Sequence, residues 1–450
     1  MFQYRQLAKT MFFILTAALM VSITAGAAAN KQEITAIVNP FITKDKVLAS
    51  DKQPDAHFGA ATILTPDGQY MAVGAPLHDI NSNSAQGQVY IYQNDGENHW
   101  TEVQKLIASD GSAGDRFGQS LAIAPNYTLI IGAPEDDEGS SSNLGSAYIF
   151  TFNAGTWSEQ QKLEASDSFS FSGDERGTAV ALTADGDTAF VGAPGVERSG
   201  GTIPGVVYVF ERSGETWNQT DTLVGPTSSA ASFGRGLATS GDGTVLVVGG
   251  LYRPGPTGSI LYGRAYVYEE AGGNWTESQV LTPSETAELD DFASDMALNN
   301  NGSVMLIGAS HQSSSASSGK AYLFTENAGS WSEQQLLTPP SGSGFGHYGA
   351  AVAIDSSGDY LAIGAWLNTS GAVHRYERST GTWVYKQTLT TADERQEQLG
   401  YAVALSGNGG ILVSGARSAH TAPSPSPFDA VGAVYTFSEG NFIYLPTLIR

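Results

Sequence analysis

Residues Phe117–Pro134 read FGQSLAIAPNYTLIIGAP, an aromatic-glycine pair and a Gly-Ala-Pro triplet that bracket two short apolar runs and a polar turn. The pair or a stand-in recurs at Phe58-Gly59, Phe117-Gly118, Arg176-Gly177, Phe233-Gly234, Phe292-Ala293, Tyr348-Gly349 and Leu399-Gly400. A glycine follows 14 or 15 residues later in each copy: Gly74, Gly132, Gly192, Gly249, Gly308, Gly364 and Gly415. Seven copies at a period of 51 to 59 residues, each rich in β-formers and none with a helical period, predict a radial or stacked all-β repeat.

Four strand signals recur inside each unit; in the first they are Ala60–Leu64, Tyr70–Val73, Val89–Tyr92 and Glu102–Ala108. The first two strands of most copies are continuous apolar runs, such as Leu129-Ile130-Ile131, as expected of inner strands covered on both faces. The third carries Gly followed three residues on by Tyr, with His374 in the tyrosine's place in the sixth copy. The fourth opens with Trp and ends six residues on with Leu, at Trp100, Trp157, Trp217, Trp275, Trp331 and Trp383.

Connections one-to-two and three-to-four are short turns such as Pro66-Asp67-Gly68 and Asn153-Ala154-Gly155-Thr156, suited to tight hairpins. The stretch from the second-strand Gly to the third-strand Gly varies instead, at 13, 13, 13, 14, 11, 7 and 17 residues. In a four-stranded antiparallel unit the two-to-three and four-to-one connections emerge at the same end. The variable loops therefore share one face, and that face is where a ligand site is expected.

The FG…GAP spacing, the Gly-x-x-Tyr strand and the Trp strand resemble FG-GAP repeats, which build the seven-bladed propeller of integrin α-subunits and of many bacterial surface proteins. The resemblance runs from about Lys44 to the C-terminus. It implies an all-β fold, a seven-bladed β-propeller of four-stranded antiparallel blades, in a single domain over residues 30–450. Integrin-like repeats carry a DxDxDG calcium loop between strands one and two. Here Asp185-Gly186-Asp187 and Asn299–Gly302 come nearest to it and lack the three spaced acids, so a calcium site carried over from integrins has no support at those turns.

The N-terminus reads as an export signal over residues 1–29: Arg5 and Lys9, an apolar run from Met11 to Ala25, then Ala27-Ala28-Ala29, with cleavage before Asn30. The run is short for a membrane span, so the mature protein is expected to be secreted or at the cell surface with no transmembrane segment. No cysteine occurs, which rules out disulfides and a lipoprotein anchor. A formal charge of −23, or −25 without the signal, disfavours nucleic acid as a partner and leaves an extracellular protein or glycan, with the chain expected to act as a monomer.

Oxygen ligands crowd the variable face of the second unit: Asp110 and Asp115 before its FG pair, then Glu135-Asp136-Asp137-Glu138 after its GAP. Calcium is the ion that Asp110, Asp115, Glu135, Asp136 and Asp137 would take, and a solvated acidic surface is the alternative reading. No organic cofactor is nominated. Trp366 replaces the Pro of GAP in the sixth unit, ahead of the shortest variable loop, with His374 and Arg375 in the next strand. These three are expected to bind a ligand by stacking and polar contact, the alternative being that Trp366 fills the space of the missing loop.

Gly344-Phe345-Gly346-His347-Tyr348-Gly349 matches GxGxxG but leads into a strand rather than a helix, so it marks no dinucleotide site. Nothing pairs a nucleophile with its base. The reading is an exported, non-enzymatic propeller that binds a partner in adhesion or scaffolding. A hydrolase or lyase acting on extracellular polysaccharide is the rival class, and a purely structural envelope module is a third.

Strands one to three occur seven times but fourth-strand candidates number eight, because both Lys46–Ser50 and Phe442–Leu448 qualify. The N-terminal segment, near residues 44–50, is expected to pair with Val434–Phe437 and close the seventh blade, since Pro446 removes a ladder donor from its competitor.

Overall fold

Each glycine of the repeat is a point where two backbones touch. In the computed structural model a Cβ on Gly132 would sit 2.1 Å from the carbonyl oxygen of Gly177 in the following blade, and one on Gly415 would sit 1.9 Å from that of Gly59. The third-strand glycine does the same, Gly87 against the Phe117 carbonyl at 2.2 Å. The FG and GAP glycines thus mark contacts between blades, and the seventh blade meets the first through the same pair that joins the others.

The structure describes residues 40–137, 142–165, 173–195, 205–226, 230–252, 262–285, 291–310, 319–340, 346–367, 370–391, 397–420 and 430–440. The expected export signal over residues 1–29 and the strand candidate Phe442–Leu448 lie outside them. Seven antiparallel sheets of four strands form, and in six of them the strands follow chain order from the centre outwards. The second blade, for example, is Ser120–Ile123, Thr128–Ala133, Ser146–Asn153 and Thr156–Leu163. In the seventh, Leu399–Leu405, Ile411–Ala416 and Ala433–Glu439 are completed on the outside by Phe41–Val47 from the start of the chain. Lys46 lies opposite Tyr435 and Val47 opposite Val434, and pairing extends back to Phe41 opposite Glu439. Each first strand touches the first strands of both neighbouring blades, so the ring closes around a central channel.

Burial explains the sequence pattern. Each blade is covered on both faces by its neighbours, so Leu129, Ile130 and Ile131 are all inaccessible to solvent although their side chains alternate in direction. At about 1.5–3 kcal/mol for each buried aliphatic side chain, these strands drive the association of the blades.

The outer strands are held by a different device. The indole of Trp157 is 2 % exposed and meets Tyr70 of the first blade at 6.3 Å, along with Tyr127 and Phe152. Four residues after each tryptophan a glutamine often follows, and its side-chain amide imitates a strand. Gln104 accepts from the Trp157 N–H at 2.8 Å and donates to the Trp157 carbonyl at 2.6 Å. Gln161 grips Trp217, Gln279 grips Trp331, Gln335 grips Trp383, and Gln387 grips Phe41 in the same two-bond manner. Phe41 therefore occupies the tryptophan position of the seventh blade. Asp221 and Asp45 stand where the glutamine would be at the remaining two interfaces.

Among the described residues there is no helix, and none long and apolar enough to cross a membrane.

Candidate functional site

The first strands enclose a channel of about 780 Å³. Its wall is mostly Ala, Leu, Ile and Val, and its two mouths differ. At the end of the one-to-two turns it is lined by Pro66, Pro125, Gly241, Asn300, Ser356 and Gly407. At the end of the variable loops stand Arg235, Asp291, Ser310, His347, Trp366 and Tyr401.

Two polar residues of that second mouth, Asp291 and His347, share a backbone peculiarity. The residue before each FG pair is in the left-handed region in all seven blades: His57, Arg116, Glu175, Ser232, Asp291, His347 and Gln398, with φ between 51° and 62°. Non-glycine residues adopt this conformation at a cost of about 1 kcal/mol or more, and here the cost recurs in every blade. All seven are polar and recur once per blade as a ring on the variable face, where Asp291 and His347 among them line the channel.

Around this ring the charges are mostly matched. Arg116 pairs with Glu135 at 3.1 Å. Arg235 pairs with Asp291 and also donates to the Phe292 carbonyl at 2.9 Å. Asp295, farther along the same strand, accepts from the Val352 N–H of the next blade at 2.7 Å, and burial pushes its carboxyl up to about 6.

Between the sixth and seventh blades the ring turns aromatic. Trp366 lies against His347 at 4.6 Å and 33°, and 5.7 Å from Tyr401. The Arg417 guanidinium stacks on Tyr401 at 3.8 Å, lies 5.7 Å from Trp366, and donates through Nε to Gln398 at 2.8 Å.

His374 and Arg375 do not join Trp366, contrary to the sequence expectation. Both belong to a third strand sandwiched between blades, and they are 0 % and 3 % exposed. His374 fills the tyrosine position of the repeat beside Tyr348, with Nδ1 3.0 Å from the Thr388 hydroxyl, and burial pushes its imidazole down to about 4. Arg375 lies over the Phe41 ring at 4.0 Å, where it covers the closing strand. Neither is within reach of a ligand on the variable face.

The five acids of the second blade divide. Lys162 Nζ sits between Asp110 and Asp136, 2.7 Å from each, and the Tyr148 hydroxyl donates to Asp110 at 2.9 Å. Asp115 is 1 % exposed, and burial, with Asp136 and Asp137 adding to it, pushes its carboxyl up to about 6. Glu135 is taken by Arg116, and Asp137 accepts from the Asn143 N–H at 2.8 Å. Glu138 lies outside the described residues.

The ammonium therefore stands where a cation would sit, and among the described residues no three His, Asp or Glu side chains are grouped to hold a metal. The arrangement belongs to the repeat. Lys105, Asp51 and Tyr90 form the same triad in the first blade, and Lys46, Glu397 and Tyr435 form it in the seventh.

The FG-GAP repeat family matches residues 100–150, 157–210, 275–324 and 331–376. The chain is an FG-GAP repeat propeller. Each matched span begins at the tryptophan of a fourth strand and runs into the next blade, so the sequence unit is offset by one strand from the structural blade.

No curated protein matches the sequence. Among solved structures, the FG-GAP propeller is similar to the hydrazine synthase of Kuenenia stuttgartiensis, with 14% identity and a TM-score of 0.52 over 81% of this chain and 94% of that one. It is also similar to Chaetomium thermophilum Sqt1 bound to the N-terminus of a ribosomal protein, with 12% identity and a TM-score of 0.53 over 88% and 99%. The RRP9 WD40 repeats give 13% identity and a TM-score of 0.53 over 88% and 100%. At such identities these likenesses concern the fold alone.

Tyr401, Arg417 and the left-handed ring were not singled out from the sequence. The signal was present, since the residue before FG is polar in every copy and Arg417, like Trp366, replaces the Pro of GAP.

Proposed function

We propose that this FG-GAP propeller is exported and acts without catalysis, binding an extracellular protein or glycan at the cell surface through its variable face. The observation that carries the reading is the cluster of Trp366, His347, Tyr401 and Arg417 at the mouth of the channel, where aromatic faces and a cation meet on a rigid rim. The signal-like N-terminus supports export. The lack of a nucleophile-base pair in the sequence motifs, and the engagement of Asp110 and Asp136 by Lys162, support binding over hydrolysis.

The test is the retention of labelled mature protein on intact cells and on extracellular matrix. Wild type and Glu97→Lys, which alters an exposed turn at the opposite end, should be retained equally. A Trp366→Ala, Arg417→Gln double variant should be washed off. Equal retention of all three would refute the assignment of the face, and release of reducing ends from a polysaccharide would favour the enzyme reading instead.

A further inference from the structure

Because the fold repeats, other blades show what each position requires for folding alone. The position after Gly-Ala of GAP is Pro76, Pro134 and Pro194 in the first three blades and Leu251 and Ser310 in the next two, but Trp366 in the sixth and Arg417 in the seventh. The position two residues beyond the FG aromatic is Ala60, Gln119, Thr178, Arg235, Ser294 and Ala350 in the first six blades, but the aromatic Tyr401 in the seventh. Three large departures meet at one spot, next to two members of the left-handed ring, His347 and Gln398. Blade packing does not ask for an aromatic ring at either position, since the other blades close with Pro, Leu, Ser or Arg at the first and with Ala, Gln, Thr, Arg or Ser at the second.

The chemistry of the spot is selective. The Arg417 guanidinium is clamped flat, stacked on Tyr401 at 3.8 Å and held through Nε by Gln398 at 2.8 Å. Arg116 and Arg235, the other arginines of this rim, each have a carboxylate partner in Glu135 and Asp291. Among the described residues no carboxylate pairs with Arg417, in a chain with 45 acidic and 22 basic residues. A planar, pre-oriented guanidinium presents a fork that matches a carboxylate. Trp366 and Tyr401 beside it offer ring faces to an apolar C–H surface.

Taking the partner-binding reading above as its basis, we propose that this spot binds an acidic pyranose, a uronic acid residue of an extracellular polysaccharide. The flat C–H face of the sugar lies on Trp366, with Tyr401, inclined at 58° to it, against the sugar's edge, and its carboxylate is held by the terminal nitrogens of Arg417. An acidic peptide would satisfy the arginine but would not present such a face to the rings.

Calorimetric titration of the full mature chain with oligogalacturonates, neutral cello-oligosaccharides of the same length and oligoglutamate tests this. Oligogalacturonate should bind, more weakly as salt rises, and the neutral sugars and the peptide at least tenfold more weakly. Trp366→Ala and Arg417→Gln should each weaken oligogalacturonate binding at least tenfold, with melting temperature as the check on folding. Neutral sugars binding as tightly as the uronate would overturn the acidic-sugar assignment and leave partner binding standing, as would oligoglutamate binding as tightly. Uronate binding untouched by Arg417→Gln would overturn the site, and this variant removes no buried aromatic. If no carbohydrate binds while cells still retain the protein, this inference falls alone; if cells do not retain it either, both fall.

Discussion

Gln387→Ala removes one grip between neighbouring blades and nothing else. Gln387 donates to the Phe41 carbonyl at 2.9 Å and accepts from the Phe41 N–H at 3.0 Å, joining the sixth blade to the strand that closes the seventh. Two partly buried hydrogen bonds at about 1 kcal/mol each put the loss near 2 kcal/mol. Urea denaturation reads it as a lower midpoint at unchanged slope. Gln387→Glu separates the two bonds. Its carboxylate still accepts from Phe41 N–H but sets an oxygen against the Phe41 carbonyl, so at pH 7 it should lose at least as much as alanine. At pH 4 a protonated carboxyl donates again and part of the loss should return. An alanine variant within about 0.5 kcal/mol of wild type, or a glutamate variant as stable as wild type at pH 7, would show that the amide does not hold the strand.

Trp157→Ala empties a site bounded by Tyr70, Tyr127 and Phe152 and should cost about 3–5 kcal/mol by the same denaturation assay; a loss below about 1 kcal/mol would deny it a packing role. Asp115 has a folded value of about 6, above its unfolded one, so the folded chain holds a proton that the unfolded chain releases, and this contribution to stability is lost as pH rises from about 4 to about 6. Asp115→Asn should therefore be more stable than wild type by about 2 kcal/mol at pH 7.5 and equal to it near pH 4, and a difference independent of pH would exclude that titration. With Lys162 between Asp110 and Asp136, millimolar calcium should leave the melting temperature unchanged, and a clear rise would show that the acids bind the ion after all. Asp221→Gln should restore the missing grip on Trp275 and raise stability by about 1–2 kcal/mol, whereas a neutral result would mean that the local geometry differs from that of the other interfaces.

The fold was legible because its glycines are fixed by sterics. A Cβ at Gly132 or Gly415 would collide with backbone, which cannot move aside, so the residue type reports the contact directly. The rim was less legible because its shared property is a backbone angle. His57, Glu175 and Gln398 have only polarity and φ in common, and φ is not written in a side chain. His374 and Arg375 were misplaced for a different reason. Their strand is covered on both faces, so a charged residue there looks like a site from its composition although it packs over Phe41 and Tyr360 inside the protein. The repeat held the cue for His374, which stands where the six other blades bury a tyrosine.

The substitution of Asp221 for the gripping glutamine leaves the interface between the third and fourth blades with one fastening fewer than its neighbours. The other such interface, between the seventh blade and the first, is partly compensated, since Ser50 donates to Glu102 from both its N–H and its hydroxyl. A ring under thermal or mechanical load gives way at its least fastened joint. Parting there would not shed a single blade but would open the circle into an arc whose ends are the third and fourth blades, still hinged on the opposite side where the two chain termini interlock. A protease or a pulling force would meet that gap first, and circular permutants cut in the connection after Val224 would place their new ends where the ring has least to lose.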